Sequence, residues 1–123
     1  MNIFSFFKNF LNKRKHKRYY THTSAYLIVQ PFTPDEKKVQ IIDISNGGCA
    51  FIYEGSKSDL AQSGFFNLVN DDSLHLEQLQ YATRSDKPLT QSSRRRGVEF
   101  KWLGTRNKEE LKKFVDSVSI CSC

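Results

Sequence analysis

Two arginines provide the side chains of this sequence that are best suited to binding an anionic ligand. Arg14 and Arg18 stand four residues apart in the basic run Arg14-Lys15-His16-Lys17-Arg18. The planar guanidinium group can hold phosphate oxygens in two parallel hydrogen bonds, a geometry that lysine cannot reproduce. The same group can meet the O6 and N7 acceptors of guanine. Two arginines at this spacing can therefore serve a guanine edge and a phosphate, although a solvated charge run is the commoner use of such residues.

A second polar motif, of the form D-x-S-x-x-G, ends a β-like run and reads Asp43-Ile44-Ser45-Asn46-Gly47-Gly48. The Asp43 carboxylate can accept hydrogen bonds from the N1 and N2 donors of guanine. Side chains alternate along a strand, so Asp43 and Ser45 are predicted to share one face while Ile42 and Ile44 point into the core. Ser45 can offer a hydroxyl to phosphate or base, and Gly48 can let the backbone approach a ligand closely. The alternative is a strand end followed by an ordinary turn.

The elements that must position these residues have a β pattern. Six segments are rich in β-forming residues or alternate in polarity, and turn residues bound them. They are Ala25–Gln30, Lys38–Ser45, Cys49–Tyr53, Phe65–Val69, Leu74–Thr83 and Arg96–Leu103. A capping-box pattern at residues 107–110 then opens a helix with an apolar side. Residues 21–123 are therefore predicted to form an all-β domain, a small six-stranded antiparallel barrel with a C-terminal helix.

The first 12 residues have the pattern of a short amphipathic helix. Their apolar side chains recur at helical spacing: Ile3, Phe6, Phe7, Phe10 and Leu11. Such a stripe most commonly packs against its own domain or a partner copy. It could also lie on the inner membrane surface, with its phenylalanines in the lipid and its lysines toward anionic headgroups. Residues 13–20 would then be a flexible segment that carries the arginines between this helix and the barrel.

The two motifs, in this order, resemble the signature of the PilZ domain, the bacterial receptor module for cyclic di-GMP. A later strand, Arg96-Gly97-Val98-Glu99-Phe100, is also similar to one in that family. The resemblance runs from about Lys13 to Val118. It implies a six-stranded barrel with the arginine motif on the segment that enters it, and a receptor that needs no cofactor besides its nucleotide ligand.

The resemblance also implies roles for individual residues. Arg14 and Arg18 would bind guanine and phosphate, Asp43 guanine, Ser45 phosphate or base, and Gly48 would allow close approach. Secondary ligand contacts are expected from Lys13, Gly47, Arg95 and Arg96, and a polar rim is the alternative role of the two arginines. A basic residue at the position of Lys13 favours two bound nucleotides over one in this family. Nucleotide binding would order residues 13–20 and change the contacts of the N-terminal helix with an unidentified protein partner or the inner membrane.

Charge is distributed unevenly along the chain. The formal net charge is +6, and residues 1–34 hold six basic residues and no acidic residue. The remaining 13 basic residues are balanced by 13 acidic ones. Nucleic-acid-binding proteins usually spread basic groups over a folded face, so a basic β-barrel nucleic-acid binder is the less favoured alternative. The block suits a compact anionic ligand or an anionic membrane.

No catalytic or metal-binding pattern is evident. The three histidines, His16, His22 and His75, lack metal-ligand spacing. The cysteines, Cys49, Cys121 and Cys123, are odd in number, which argues against a disulfide framework. No apolar run approaches the roughly 20 residues of a membrane span, and no secretory signal is evident, so we expect a cytoplasmic protein. A receptor is predicted rather than an enzyme, and the second alternative is a PilZ-like adaptor that binds protein without nucleotide.

Overall fold

The computed structural model describes residues 18–21, 25–70, 75–101 and 103–122. These residues form eight β-strands and one α-helix, with a 3₁₀ turn at Lys57–Asp59. The strands are β1 Tyr19–Thr21, β2 Ala25–Val29, β3 Lys37–Ile44, β4 Gly48–Glu54, β5 Ser63–Asn70, β6 His75–Pro88, β7 Ser93–Lys101 and β8 Ser119–Ser122. The helix α1, Thr105–Val118, lies between β7 and β8 in the chain.

Strands β2 to β7 close into a six-stranded antiparallel barrel. Their order around the barrel is β2-β5-β6-β7-β4-β3, and β2 pairs with β3 to complete the ring. The first half of β3, residues 37–40, pairs with β2, and its last two residues, Asp43 and Ile44, pair with β1. Strand β8 adds to the free side of β1. Closure leaves no strand of the ring with an unpaired edge, which removes the usual site of edge-to-edge aggregation.

The interior of the barrel is filled by the alternating apolar side chains of its strands. In β2, for example, Ala25, Leu27 and Val29 are buried while the residues between them are half-buried. Helix α1 contributes one apolar face to the same core cluster, through Leu111, Phe114, Val115 and Val118. The two periodicities, 2 in the strands and about 3.6 in the helix, thus direct their apolar faces into one core.

A β-bulge near the end of β3 sets the orientation of the D-x-S-x-x-G motif. Ile41 pairs with Phe51 of β4, whereas Asp43 pairs with the neighbouring residue Ala50, so Ile42 is the extra residue. Ile41 and Ile44 are buried in the core and Ile42 is only half-buried. The sequence prediction is confirmed for Ile44 and wrong for Ile42, because the bulge interrupts strict alternation.

The six predicted strands are confirmed, and two short strands, β1 and β8, are added to them. The C-terminal helix is also confirmed, but it begins at Thr105 with Gly104 as its N-cap and no side-chain cap, so the predicted capping box at residues 107–110 is wrong. Glu110 instead contacts Arg106, with 3.2 Å between Oε1 and Nε. The helix predicted for the first 12 residues lies outside the described residues.

Candidate ligand-binding site

A broad groove of about 1260 Å³ lies on the outer face of the barrel, over β4, β6, β7 and the turn from Ser45 to Gly48. Five cationic side chains line it: Arg18, Arg84, Lys87, Arg95 and Lys108. They come from four separate parts of the chain, which the fold brings together. The groove therefore has the charge and the size that an anionic ligand of nucleotide size requires.

The floor of the groove is nearly bare backbone. Ala50 of β4 lies opposite Gly97 of β7, and both line the groove together with Gly48. Directly opposed residues of antiparallel strands share a face, so these three small residues form one continuous patch. A Cβ atom on Gly97 would lie 2.9 Å from the Ser85 hydroxyl oxygen. A side chain at Gly97 would therefore crowd Ser85, and the small residues keep the backbone of the floor open to a flat ring.

The turn at the end of β3 is fixed internally by Ser45. Its hydroxyl oxygen accepts hydrogen bonds from the backbone N–H groups of Gly47 and Gly48, at 3.1 and 3.2 Å. The backbone N–H of Phe100 donates to the Gly47 carbonyl oxygen at 2.9 Å, which fastens the turn to β7. A Cβ on Gly48 would meet the Val98 carbonyl oxygen at 2.1 Å. Gly48 is thus required first by the close approach of β7, and Ser45 by the shape of the turn.

Asp43 forms an ion pair with a cation that lines the groove. Arg95 Nη2 donates to Asp43 Oδ2 at 2.9 Å. The Asp43 side chain is 8% exposed, whereas that of Arg95 is 48% exposed. The carboxylate therefore lies beneath the guanidinium group, and a ligand base could reach it only if Arg95 moved or shared it.

The model of the PilZ domain matches residues 12–117, which is most of the chain. The chain belongs to the PilZ domain family. No match was found among curated proteins.

Several solved structures share this PilZ fold at low sequence identity. MrkH of K. pneumonia, in complex with c-di-GMP, has a TM-score of 0.69 at 16% identity, covering 85% of this chain and 51% of MrkH. The PilZ domain of YcgR from Escherichia coli, with c-di-GMP, has a TM-score of 0.66 at 16% identity, covering 86% of this chain and 91% of that domain. PlzA of Borreliella burgdorferi, also with c-di-GMP, has a TM-score of 0.58 at 14% identity, covering 94% and 57%. The chain thus spans about half the length of MrkH.

Arg96 belongs to the core of this PilZ barrel and not to the groove. Its side chain is 0% exposed, and Nε donates to Asp86 Oδ2 at 2.7 Å. Its other nitrogens donate to the carbonyl oxygens of Ala61 and Lys57, at 2.8 and 3.0 Å. Asp86 also accepts from the Tyr53 hydroxyl and from Arg94. Burial raises the pKa of the Asp86 carboxyl, but the hydrogen bonds from Tyr53, Arg96 and Arg94 outweigh it, so that the pKa is lowered overall.

The structure brings together most of the residues that the sequence singled out. Arg18, Ser45, Gly47, Gly48 and Arg95 line the groove, with Asp43 in contact with Arg95. Arg14 and Lys13 lie outside the described residues. Arg96, named from the sequence as a secondary ligand residue, is placed in the core instead.

Four charged groove residues were missed in the sequence: Arg84, Lys87, Glu99 and Lys108. The position of Glu99 could have been predicted from the alternation of core-facing and outward-facing side chains along β7. Since Val98 and Phe100 face the core, Arg96 must share their side, and Arg95 and Glu99 the opposite one. Arg84, Lys87 and Lys108 had no such signal, because their place in the groove depends on how β6 and α1 pack.

Two further observations limit the chemistry of the site. Among the residues that the structure describes, no group of three or more His, Cys, Asp or Glu side chains could hold a metal ion. Burial, followed by the charge of Asp43, raises the pKa of the Cys49 thiol against the opposing effect of Arg18, so the thiol stays protonated.

Within the residues that the structure describes, no helix has the length and the apolar character of a membrane-spanning segment.

Proposed function

We propose that the protein is a receptor for cyclic di-GMP rather than an enzyme. The observation that carries this proposal is the groove itself, in which cations from four parts of the chain surround a floor of small residues next to the D-x-S-x-x-G turn. A cyclic dinucleotide has two phosphates and two flat bases, which matches cations around bare backbone. The c-di-GMP complexes of MrkH, YcgR and PlzA, which share the fold, support the same ligand.

In this proposal Arg14 and Arg18 bind guanine and phosphate with their planar guanidinium groups. Arg18 already lines the groove, one residue before β1. Asp43 accepts hydrogen bonds from one guanine, and Arg95 turns from Asp43 to a phosphate or a base as the ligand enters. Ser45 and Gly48 keep the turn in the shape that the ligand meets, and the Ser45 hydroxyl can also turn to a phosphate.

Binding of the nucleotide would then be read out through the start of the chain. The arginine motif is continuous with β1, so a ligand held by Arg14 and Arg18 fixes the path of residues 13–20 across the barrel. A ligand shifts a conformation only through contacts that differ between the two states, and these arginines can supply them directly. Residues 2–12 would change their contacts with a protein partner or with the cytoplasmic surface of the inner membrane. Hydrogen exchange with and without ligand should show protection in residues 13–20 and altered exchange in residues 2–12.

Isothermal titration calorimetry tests the receptor function. Cyclic di-GMP should bind, while GTP and single-stranded RNA should bind far more weakly. Losing one bidentate arginine costs roughly 1–3 kcal/mol, so Arg14→Ala and Arg18→Ala should each weaken binding by about 10- to 100-fold. Arg106→Ala removes the same charge from an exposed position on α1, outside the groove, and should leave binding unchanged. Equal affinity for the wild type and both motif variants, or no binding at all, would end the receptor proposal.

The second candidate is an adaptor that binds protein and no nucleotide. One observation favours it, which is that the Asp43 carboxylate is already paired with Arg95. An adaptor would keep this ion pair permanently, whereas a receptor would open it on binding. The same calorimetric titration distinguishes the two candidates, because an adaptor would give no heat of binding with cyclic di-GMP. Binding of single-stranded RNA in place of the dinucleotide would favour a nucleic-acid-binding protein.

A further inference from the structure

Glu99 is the one acidic residue among the described residues that line the groove. Its side chain is 34% exposed, in contrast to the 8% of Asp43. A carboxylate in a groove built for an anion is repelled by the ligand's phosphates and weakens binding unless it contacts a donor group. The position of Glu99 therefore calls for a specific partner on the ligand.

The carboxylate is held in place by its neighbours. Glu99 pairs with Gly48 on one side and with Ala82 of β6 on the other, so it stands on the groove face beside the D-x-S-x-x-G turn. Lys101 Nζ lies 3.3 Å from Oε1, and Arg84 forms an ion pair with Oε2. The Arg84 side chain is 65% exposed. Arg84 can therefore move to a phosphate and leave one carboxylate oxygen to the ligand, while Lys101 still holds the other.

We propose that Glu99 accepts hydrogen bonds from the Watson–Crick edge of one guanine of the bound cyclic dinucleotide and thereby determines selectivity for guanine. The proposal rests on the receptor function proposed above and extends it to a residue outside the two motifs. Guanine presents adjacent N1–H and N2–H donors that match the two oxygens of a carboxylate, and Oε1 can accept one of them on its second lone pair while Lys101 holds it. Adenine presents an acceptor at N1, and hypoxanthine lacks the N2 amine, so neither satisfies Glu99 fully.

Asp43 and Glu99 are far enough apart to serve different bases. Both lie on the groove face, on β3 and β7, which β4 separates. Two strand spacings across the sheet and two residues along it place their Cα atoms about 12 Å apart. One carboxylate therefore reads each guanine of a ligand that has two, with the small-residue floor between them.

The test compares cyclic di-GMP with cyclic di-IMP, which differs only in lacking both N2 amines. Calorimetry of the full chain should show that the wild type prefers cyclic di-GMP by about tenfold or more. Glu99→Gln should weaken cyclic di-GMP binding about tenfold and cyclic di-IMP binding far less, because the glutamine amide opposes one guanine donor. The ratio of the affinities for cyclic di-GMP and cyclic di-IMP therefore falls in Glu99→Gln. Glu99→Asp keeps a carboxylate and should retain most of the wild-type ratio. The matched control Glu77→Gln, at an exposed position of β6 outside the groove, should alter neither affinity.

Other outcomes overturn the proposal in distinguishable ways. If Glu99→Gln weakens both ligands equally, Glu99 only positions Arg84. If it strengthens both equally, Glu99 only repels the phosphates. If Asp43→Asn abolishes the preference for cyclic di-GMP over cyclic di-IMP while Glu99→Gln keeps it, Asp43 alone recognises the guanine N2 amine. A wild type that binds neither ligand refutes the receptor function, and this inference with it.

Discussion

Replacing Asp86 with asparagine removes the negative charge that Arg96 depends on in the core. The side chains of both residues are almost completely buried, and within the part of the chain that the structure describes, this carboxylate is the one charged group that the Arg96 guanidinium contacts. Asparagine has nearly the same volume and can still accept a hydrogen bond. The variant therefore removes the charge at nearly constant volume, and where its remaining oxygen accepts from Arg96 and Tyr53, its amide nitrogen no longer accepts from Arg94.

The expected cost follows from the burial of Arg96. Removing one partner of a buried ion pair typically costs about 3–5 kcal/mol, since the remaining charge stays desolvated. The carbonyl oxygens of Ala61 and Lys57 still accept from Arg96, so we expect the lower end, about 3 kcal/mol. At roughly 2.1 cal/mol/K of unfolding entropy per residue, this lowers the melting temperature by about 12 °C.

Urea unfolding at pH 7 measures this loss of stability. Asp116→Asn makes the same change at an exposed position of α1 and should stay within about 0.5 kcal/mol of the wild type. Adding Arg96→Met to Asp86→Asn should restore part of the loss, because it removes the unpaired charge. A loss below about 1 kcal/mol for Asp86→Asn, or a further loss in the double variant, would show that the charge of Arg96 is not the cause.

The same variant gives a pH dependence with a defined sign. The pKa of Asp86 is lowered in the folded state by its hydrogen bonds, despite burial. Its contribution to stability is therefore complete above the unfolded-state pKa of about 3.9 and is lost as the pH falls through the lower folded-state pKa. The difference between wild type and Asp86→Asn should be constant near neutral pH and shrink below about pH 4. A difference that grows on acidification would contradict this assignment.

Two further pairs of substitutions test the turn and the bulge. Gly48→Ala should destabilise the fold by about 1–3 kcal/mol or more and weaken cyclic di-GMP binding, because its Cβ would overlap the Val98 carbonyl oxygen. The control is Gly104→Ala, which has no atom near its Cβ and should lower the free energy of unfolding by at most about 1 kcal/mol. Ile44→Ala should cost about 2–5 kcal/mol and Ile42→Ala less than half of that, since only Ile44 is fully buried. Urea melts measure all four, and equal losses for the two isoleucines would mean that the bulge is misplaced.

Most of the barrel could be predicted because its signals are local. Strand β7 shows why, since Val98 and Phe100 alternate with Glu99 and Lys101 in the sequence and alternate between core and surface in the fold. Strands β1 and β8 lack such signals. They are only three and four residues long, and each forms by pairing with a distant segment.

The candidate site was predictable in its motif but not in its surroundings. The order of arginines, carboxylate, hydroxyl and glycine is visible in the sequence. The pairing of Asp43 with Arg95 joins residues 52 positions apart, and only the register of β3, β4 and β7 brings them into contact. Arg95 and Arg96 look alike in the sequence, although one faces the groove and the other supports the core.

The pairing of β1 with β8 has a consequence for the order in which the protein folds. Thr21 pairs with Ser119, so the strand that follows the arginine motif has both of its neighbours only when the last described strand is in place. Contacts between segments so distant in sequence carry a large loop-closure entropy and tend to form late. On a ribosome, the six-strand ring could assemble before β8 emerges, whereas β1 would still lack one of its two neighbours. Complete pairing of β1 therefore waits for β8, although its other neighbour, β3, is made much earlier.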